Sequence, residues 1–211
     1  MRILICGIHF HPELTGVGRY TGEMASYLSR VGHEVRVVTA PLYYPYWQVQ
    51  PGFKGWQYRA EAWQGVRIFR TPLWVPRQPS GMNRLLHLFA FALFSLPVLV
   101  GQIGWKADLV LCVVPTLFMA PAALLIARLG GSTSWLHIQD FELDAALGLE
   151  MLPGRMVLGR LAQAFEHFAI TRFDRVSTIS KNMLDLAVAK GVKAGRTVLL
   201  PNWVDTAEIF P

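Results

Sequence analysis

The chain has 211 residues, of which 53% are hydrophobic and 16% are charged, and its formal net charge is +6. This composition excludes a disordered chain and is typical of one large domain with a sizeable core. The positive charges form no Lys/Arg run, so we expect no nucleic-acid partner. An anionic membrane surface or a phosphate-bearing ligand suits such a basic, apolar protein better.

The first predicted element is a strand at residues 2–8, which a glycine loop joins to a helix ending at Gly32. Another strand, GHEVRVVTA, follows at once and completes a βαβ unit. The first N–H groups of the helix in such a unit lack intrahelical partners and lie at the carboxyl edge of the sheet, where they form an anion site. The residues that we predict to bind phosphate or sugar there are Gly16, Val17, Gly18 and Arg19.

Two features separate this loop from the dinucleotide-binding fingerprint. Gly16, Gly18 and Gly22 give G-x-G-x3-G, and the loop that precedes them from Gly7 is too long for the tight turn of G-x-G-x-x-G. The second strand ends in TAP, without the acid that holds ribose. An NAD(P)-binding protein is therefore the less favoured alternative. Another alternative is that the glycines serve only the close packing of the helix against the strand.

Residues 40–65 are rich in Tyr, Trp, Pro and Gly and cannot form a regular helix. One interpretation is a long loop that packs its aromatic side chains over the core. The other is a platform for sugar rings or lipid headgroups, because an aromatic ring combines an apolar face with a polar handle. On the second interpretation the contact residues are Tyr43, Tyr44 and Trp47. A strand is predicted next, at residues 66–75.

No residue between Arg84 and Lys106 carries a fixed charge, and a helix of this length would span a bilayer. Pro97 and the return to an α/β pattern argue against a span. We expect a helix at 85–105 that packs on the sheet and exposes an apolar outer surface to a bilayer. A purely buried helix is the alternative. The predicted membrane or acceptor contacts of this helix are Leu88, Phe91 and Phe94.

Strands and helices then alternate to the end of the chain. Strands are predicted at 109–115, 132–140, 175–180 and 196–202, and helices at 115–131 and at 154–173. A short helix is predicted after 175–180, with Ser180 as its N-cap and Gly191 past its end. This alternation implies a Rossmann-like α/β fold, with a doubly wound, mostly parallel sheet and helices on both faces.

Cys6 and Cys112 fall in predicted buried strands, which favours a reduced interior pair. No spacing suits a zinc site or a disulfide framework, so we predict no metal, and the cysteines are typical of a cytosolic protein. We expect no signal peptide, since the first strand follows the initiator Met at once.

Ligands of doubly wound sheets bind beyond the carboxyl ends of the strands. His11 flanks the first loop. His137 and Gln139 share one face of a later strand, and Asp140 lies at its mouth, where a carboxylate can hold a hydroxyl or act as a base. A helix N-cap is the competing role for Asp140. The predicted catalytic residues are Asp140 and His137, and the further predicted binding residues are His11, Gln139, Ser180 and Lys181. Glu142 and Asp144 follow the same strand.

Several segments together resemble the N-terminal half of a GT-B glycosyltransferase of family 4. They are PELTGVGRYTGEMASYLSRVGHEVRVVTA, QDFELD, and FDRVSTISKNMLDLAVAKGV leading to VLLPNWVDTAEIFP. The chain is most similar to the colanic-acid and exopolysaccharide branch, whose members are described as fucosyltransferases. That closer similarity rests on TAPLYYPYW, PSGMNRLLHLFAFALFSLP and NWVD.

The resemblance implies two Rossmann-like domains that face each other across a cleft. Residues 1–200 would bind the acceptor, and 201–211 would begin the linker to a nucleotide-sugar domain that lies outside this chain. It further implies a retaining transfer without metal or cofactor, from a nucleotide-sugar to a lipid-diphosphate-linked glycan. The enzyme would lie peripherally on the inner face of a bacterial cytoplasmic membrane, and residues 1–211 alone would be inactive.

The family's glycine-rich loop approaches the donor diphosphate, and in this chain it maps onto Gly16 and Gly18. Many relatives carry a His-Asp pair where this chain has Gln139-Asp140, and His137 lies two residues earlier. The resemblance therefore transfers a role to Asp140 but leaves the role of the histidine open. A non-catalytic, membrane-associated binding module is the alternative from another class of protein.

Overall fold

The computed structural model describes residues 1–14, 16–141 and 155–204, without the side chains of 155–158. Eight strands in this part of the chain form one sheet. They are β1 (Arg2–Cys6), β2 (Glu34–Thr39), β3 (Arg59–Trp63), β4 (Val66–Arg70), β5 (Leu109–Val114), β6 (Thr133–Ile138), β7 (Arg175–Thr178) and β8 (Thr197–Leu199). The α-helices are α1 (Gly16–Arg30), α2 (Gly81–Gln102), α3 (Ala120–Gly130), α4 (Arg155–Thr171) and α5 (Lys181–Ala189).

The strand order is β3-β4-β2-β1-β5-β6-β7-β8, and every neighbouring pair is parallel except β3 with β4. From β1 the chain moves outward through β2 to β4, and α2 then carries it back to β5 on the other side of β1. The strand order thus reverses between β1 and β5, the kind of place where doubly wound sheets bind ligands. The predicted fold class is confirmed.

Apolar side chains cover both faces of the sheet, as expected for parallel strands between helices. In β1, Leu4 and Cys6 belong to the cluster that packs against α2 and α3, while Ile3 and Ile5 belong to the cluster beneath α1. Cys6 lies in register with Cys112 of β5, and both are buried and form no disulfide, so the predicted interior position of the two cysteines is confirmed. Burial raises the pKa of the Cys6 thiol to about 12.

The expectation of one long loop at 40–65 is wrong in its last part, because Arg59–Trp63 forms β3 and pairs antiparallel with β4. Gln64 and Gly65 join the two strands with φ of +48° and +79°. Two successive positive φ values are typical of the tight turn that matches the twist of a hairpin. The strand predicted at 66–75 ends at Arg70.

Helix α2 connects two strands of one sheet and packs along that sheet, as predicted. Together with the short 3-10 turn after it, it is long and apolar enough to cross a membrane by length and composition. Three polar side chains of α2 nevertheless face the protein. The His87 ring donates from Nδ1 to the Trp74 carbonyl, Ser95 donates to the Phe91 carbonyl, and Gln102 accepts from Arg36.

The helix exposes an apolar surface, as predicted, but most of the predicted contact residues do not lie on it. Leu88 and Phe91 are buried, as is Tyr43 of the preceding loop, so these three predicted membrane contacts are core residues instead. Phe94 is half-buried. Apart from Arg84 near its start, the large side chains that α2 exposes are apolar. They recur every three or four residues, and we call them the outer stripe: Met82, Leu86, Phe89, Leu93, Leu96 and Val100.

Candidate functional site

The carboxyl ends of β1, β5, β6 and β7 border one edge of the sheet. Cys6 lies in register with Cys112, which in turn lies in register with Leu136 of β6. Since one strand separates β1 from β6, their ends are about 10 Å apart. The loop that enters α1 and the residues after β6 therefore lie along the same edge of the sheet, which we call the candidate cleft.

The loop between β1 and α1 is shaped by Glu13, which is almost fully buried. A Cβ atom at Gly18 would lie 2.2 Å from Glu13 Oε2 and 2.6 Å from Glu13 Cβ. These distances are far shorter than any tolerated carbon contact, so only glycine lets the acid pack on the first turn of α1. Gly16 has φ of +62°, which also favours glycine, but the space around it is open. The neighbouring Thr15 lies outside the described residues.

Glu13 is the hydrogen-bond partner of His9. The sequence did not lead us to predict this pair. The two carboxylate oxygens of Glu13 lie 2.9 and 3.0 Å from His9 Nδ1. Tyr43 stacks on the imidazole at a centroid distance of 5.6 Å, and Tyr44 meets it edge-on at 5.3 Å. A carboxylate on one ring nitrogen fixes the tautomer, so the other nitrogen, Nε2, is an acceptor. Nε2 lies 3.5 Å from the Tyr43 hydroxyl, a long hydrogen bond that a substrate hydroxyl could replace. The spacing of His9 and Glu13, four residues apart before a helix, was the available signal.

His11 lies behind this loop, on the side of β3. Its ring stacks on Trp63 at 3.8 Å, and its carbonyl accepts from an Arg70 Nη atom at 2.7 Å. Burial lowers the pKa of His11, the Arg70 charge lowers it further, and Glu61 opposes both. A neutral imidazole offers no charge to a phosphate, so the structure gives little support to His11 as an anion ligand.

The residues at and after the end of β6 divide between the core and the cleft. His137 is buried and its Nδ1 lies 2.9 Å from Ser177 Oγ, which also accepts from Trp135. This interior position does not support the predicted catalytic role of His137. Gln139 is half-buried and Asp140 is exposed at the edge of the sheet. Glu142 and Asp144 lie outside the described residues.

The buried histidines make an acid-sensitive core. Burial lowers the pKa of His137 from 6.5 to about 4, against a smaller upward effect of its hydrogen bond to Ser177. The unfolded chain therefore binds a proton at this site before the folded chain does, and the free energy of unfolding falls as pH drops from 6.5 to about 4. His87 shows the same direction and the same value.

We expect His137→Gln to flatten this pH dependence. Removing one titrating group should reduce the slope of unfolding free energy by as much as about 1.4 kcal/mol per pH unit. Urea unfolding of the parent and the variant at several pH values between 4 and 6.5 measures both slopes. Parallel lines would show that His137 is not held neutral by the fold.

The remaining predicted binding residues lie around the same edge. Ser180 is the N-cap of α5, as predicted, since its Oγ accepts from the Met183 N–H at 3.3 Å. Lys181 is exposed on the first turn of α5, and Val17 is half-buried on that of α1. Arg19 Nε donates to Glu23 at 2.7 Å. In the part of the chain that the structure describes, no group of three or more His, Cys, Asp or Glu side chains could hold a metal ion.

Three comparisons place this architecture among known proteins. The chain is 49% identical over 210 residues to the Escherichia coli (strain K12) protein WcaI, described as a colanic acid biosynthesis glycosyl transferase; the match covers 98% of this chain and 51% of that protein. The chain thus spans about half the length of this curated relative. Residues 15–203 match the family described as "Glycosyl transferase 4-like domain".

Among solved structures, sucrose-phosphate synthase of Thermosynechococcus elongatus superposes with a TM-score of 0.70 at 14% identity, covering 100% of this chain and 50% of that one. HepE of Anabaena, solved with UDP and glucose, gives a TM-score of 0.54 at 14% identity over 97% of this chain and 45% of that one. At such identities these likenesses establish a shared fold. Because the family match extends over nearly the whole sequence, the chain belongs to the glycosyl transferase 4-like domain family.

Proposed function

We propose that this chain is the acceptor-binding half of a retaining glycosyltransferase that works in the biosynthesis of a colanic-acid-type exopolysaccharide. The observation that carries the proposal is the 49% identity to WcaI over almost the whole chain. The donor is a nucleotide-sugar, bound mainly by a second domain, and the acceptor is a lipid-diphosphate-linked glycan. The proposed transfer uses no metal and no cofactor beyond the donor.

The cleft offers groups both for the leaving diphosphate of the donor and for the hydroxyl of the acceptor. The acceptor oxygen bonds to the anomeric carbon, the bond from that carbon to the diphosphate breaks, and its electron pair leaves with the diphosphate. Backbone N–H groups at Gly16 and Val17 stabilise that leaving charge. The acceptor hydroxyl binds near Asp140, and the second nitrogen of His9 receives or holds its proton. The position of these groups at the carboxyl edge of the sheet supports the proposed roles.

The outer stripe of α2 supports a peripheral membrane contact. Ordinary surface helices turn polar residues outward, whereas α2 buries His87, Ser95 and Gln102 and exposes apolar side chains. The segment 81–105 contains no Asp or Glu, and exposed Arg84 and Lys106 lie near its two ends. An apolar stripe between cations complements the interior and the anionic headgroups of a cytoplasmic leaflet.

Placing charge on the outer stripe should weaken membrane binding. We expect the double substitution Leu86→Glu and Leu93→Glu to lower partitioning onto anionic vesicles at least about tenfold. On binding, both new carboxylates would have to move from water into lipid, which costs free energy. Vesicle co-sedimentation measures the loss. Val31→Glu, an equally exposed position beyond α1 on the other face of the sheet, is the matched control.

Two results would contradict the membrane assignment. Unchanged vesicle partitioning of the double variant would exclude the outer stripe as the contact. A parent protein that ignores vesicles but is dimeric, and becomes monomeric with the double substitution, would make the stripe a contact between two copies of the chain.

A transfer assay tests the function itself. The full-length protein is offered GDP-, UDP- and dTDP-sugars with a lipid-diphosphate-sugar acceptor in detergent. Labelled sugar on the lipid is the expected result, and the productive donor identifies the nucleotide-sugar. Absence of transfer from every donor, in a preparation that binds vesicles, would contradict the proposal and leave a membrane-binding module.

A further inference from the structure

A small basic pocket lies at the β3–β4 end of the sheet and is not explained by the cleft. Its volume is about 320 Å³, and its polar lining comes from Lys54, Gln57, Arg59 and Arg70. The lining contains no acidic side chain. Glu61 pairs with two of these cations, lying 2.6 Å from Arg70 Nε and 3.4 Å from Arg59 Nε. Three cations against one carboxylate leave a net charge of +2 around the pocket.

Arg70 forms a part of the pocket that is fixed before any ligand binds. It is almost fully buried, and its Nη atoms donate to the Ala40 and His11 carbonyls at 2.7 Å each. Its guanidinium also lies 4.8 Å from the Phe53 ring centroid. A cation held in this way loses little conformational entropy when an anion binds. Arg59 is more exposed and donates to the Gly52 carbonyl at 3.2 Å.

The same pocket is tied to the candidate cleft and to the outer stripe. Through His11, Arg70 is bonded to the loop that carries His9 and Glu13. On the other side, Trp56 packs edge-on against Phe94 of α2 at 5.8 Å, and Tyr58 donates to the Phe94 carbonyl. The segment that supplies Lys54 and Gln57 is therefore anchored to the helix that bears the apolar stripe.

We propose that this pocket binds the diphosphate group of the lipid-linked acceptor. The inference rests on the proposed function and adds a site to it. A ligand with a doubly charged head and an apolar tail matches a +2 pocket beside an exposed apolar helix, and diphosphate oxygens accept well from Lys and Arg. A volume near the lower limit for ligand sites suits the head group alone. The tail then lies along α2, and the glycan extends past the loop toward the cleft.

Binding of small probes to the full-length protein tests the pocket without any need for turnover. The probes are geranyl diphosphate, inorganic pyrophosphate, geraniol and UDP, measured by calorimetry in detergent-free buffer. Lys54→Gln and Arg59→Gln remove exposed cations, so the fold should survive both. Lys193→Gln, exposed beside the far edge strand β8, is the matched control.

We expect each substitution to weaken geranyl diphosphate binding about tenfold, since each removes one charge-assisted contact. The control should bind like the parent, and geraniol should bind weakly to all variants. Pyrophosphate that binds as tightly as geranyl diphosphate would make this a site for free phosphate compounds. UDP affinity that falls with the same substitutions would assign the pocket to the donor. Variants that bind geranyl diphosphate like the parent would exclude the pocket altogether.

The transfer assay separates failure of the pocket from failure of the proposed function. In an active enzyme, Lys54→Gln and Arg59→Gln should raise KM for the lipid acceptor about tenfold and leave KM for the nucleotide-sugar unchanged. An active parent whose variants keep the acceptor KM would contradict the pocket only. An inactive parent would contradict the proposed function, while the probe titrations would still decide the pocket.

Discussion

Gly18→Ala is expected to lower the rate of sugar transfer about a hundredfold and to leave the protein folded. The new methyl group would overlap Glu13 Oε2, which can swing away, and Glu13 Cβ, which cannot move without the backbone of the loop. His9 would move with Glu13, because the carboxylate is its hydrogen-bond partner. A displacement of about 1 Å at a reacting group can cost two orders of magnitude in rate.

The measurement compares kcat and thermal stability for three glycine variants of the full-length enzyme. Gly195→Ala has open space and an ordinary φ, so it should match the parent in both. Gly16→Ala has open space but φ of +62°, so it should lose stability, by about 1 kcal/mol, more than activity. A Gly18→Ala enzyme with parental kcat would show that the position of Glu13 does not matter for transfer.

The structural reason for a glycine at position 18 differs from the reason for which the sequence indicated a functional loop. Bare backbone at a helix N-terminus suggested a phosphate site, and the spacing of glycines gave no sign of a buried acid on the first turn. Glu13 contributes a negative charge beside that helix terminus. On the proposed function, the loop combines N–H groups for a leaving diphosphate with a His–Glu pair for a hydroxyl. Gly18 leaves the space that Glu13 occupies.

The order of strands and helices was predictable because each element has its own period and its own end signals. Ser180 caps α5 and Gly191, with φ of +107°, follows it, as the sequence indicated. The β3–β4 hairpin was missed because β3 reads RAEAW, which has little β-branched character, and its turn is Gln-Gly instead of the usual Asn-Gly. Pairing with β4 outweighs this weak local preference.

The orientation of α2 could not be predicted from its sequence. A helix with almost no polar residues has no polar face to indicate which side meets water. Its few polar residues do not mark the solvent face either. His87 and Gln102 turn inward, because their hydrogen-bond partners Trp74 and Arg36 come from other parts of the folded chain. Likewise, the sequence predicted that His137 lies at the cleft, whereas in the structure it is hydrogen-bonded to Ser177 of the neighbouring strand.

Removing the imidazole itself should cost as much as the glycine substitution. We expect His9→Gln to lower kcat about a hundredfold, the lower end of the range for a general acid or base, with little change in KM for the donor. Glu13→Gln should cost less, because the amide oxygen can still accept from Nδ1 although the charge is lost. His33→Gln, at the amino edge of the sheet where His33 precedes β2, is the control and should match the parent.

The double variant decides whether His9 and Glu13 act as one unit. If Glu13 works only by orienting His9, its substitution has nothing left to remove once the imidazole is gone, and the double variant should be no slower than His9→Gln. Multiplied losses would mean that each side chain contacts the reactants separately, with the carboxylate of Glu13 reaching a substrate hydroxyl by itself. A parental rate in both single variants would instead leave Asp140, the exposed acid after β6, as the side chain at the cleft to test for proton transfer.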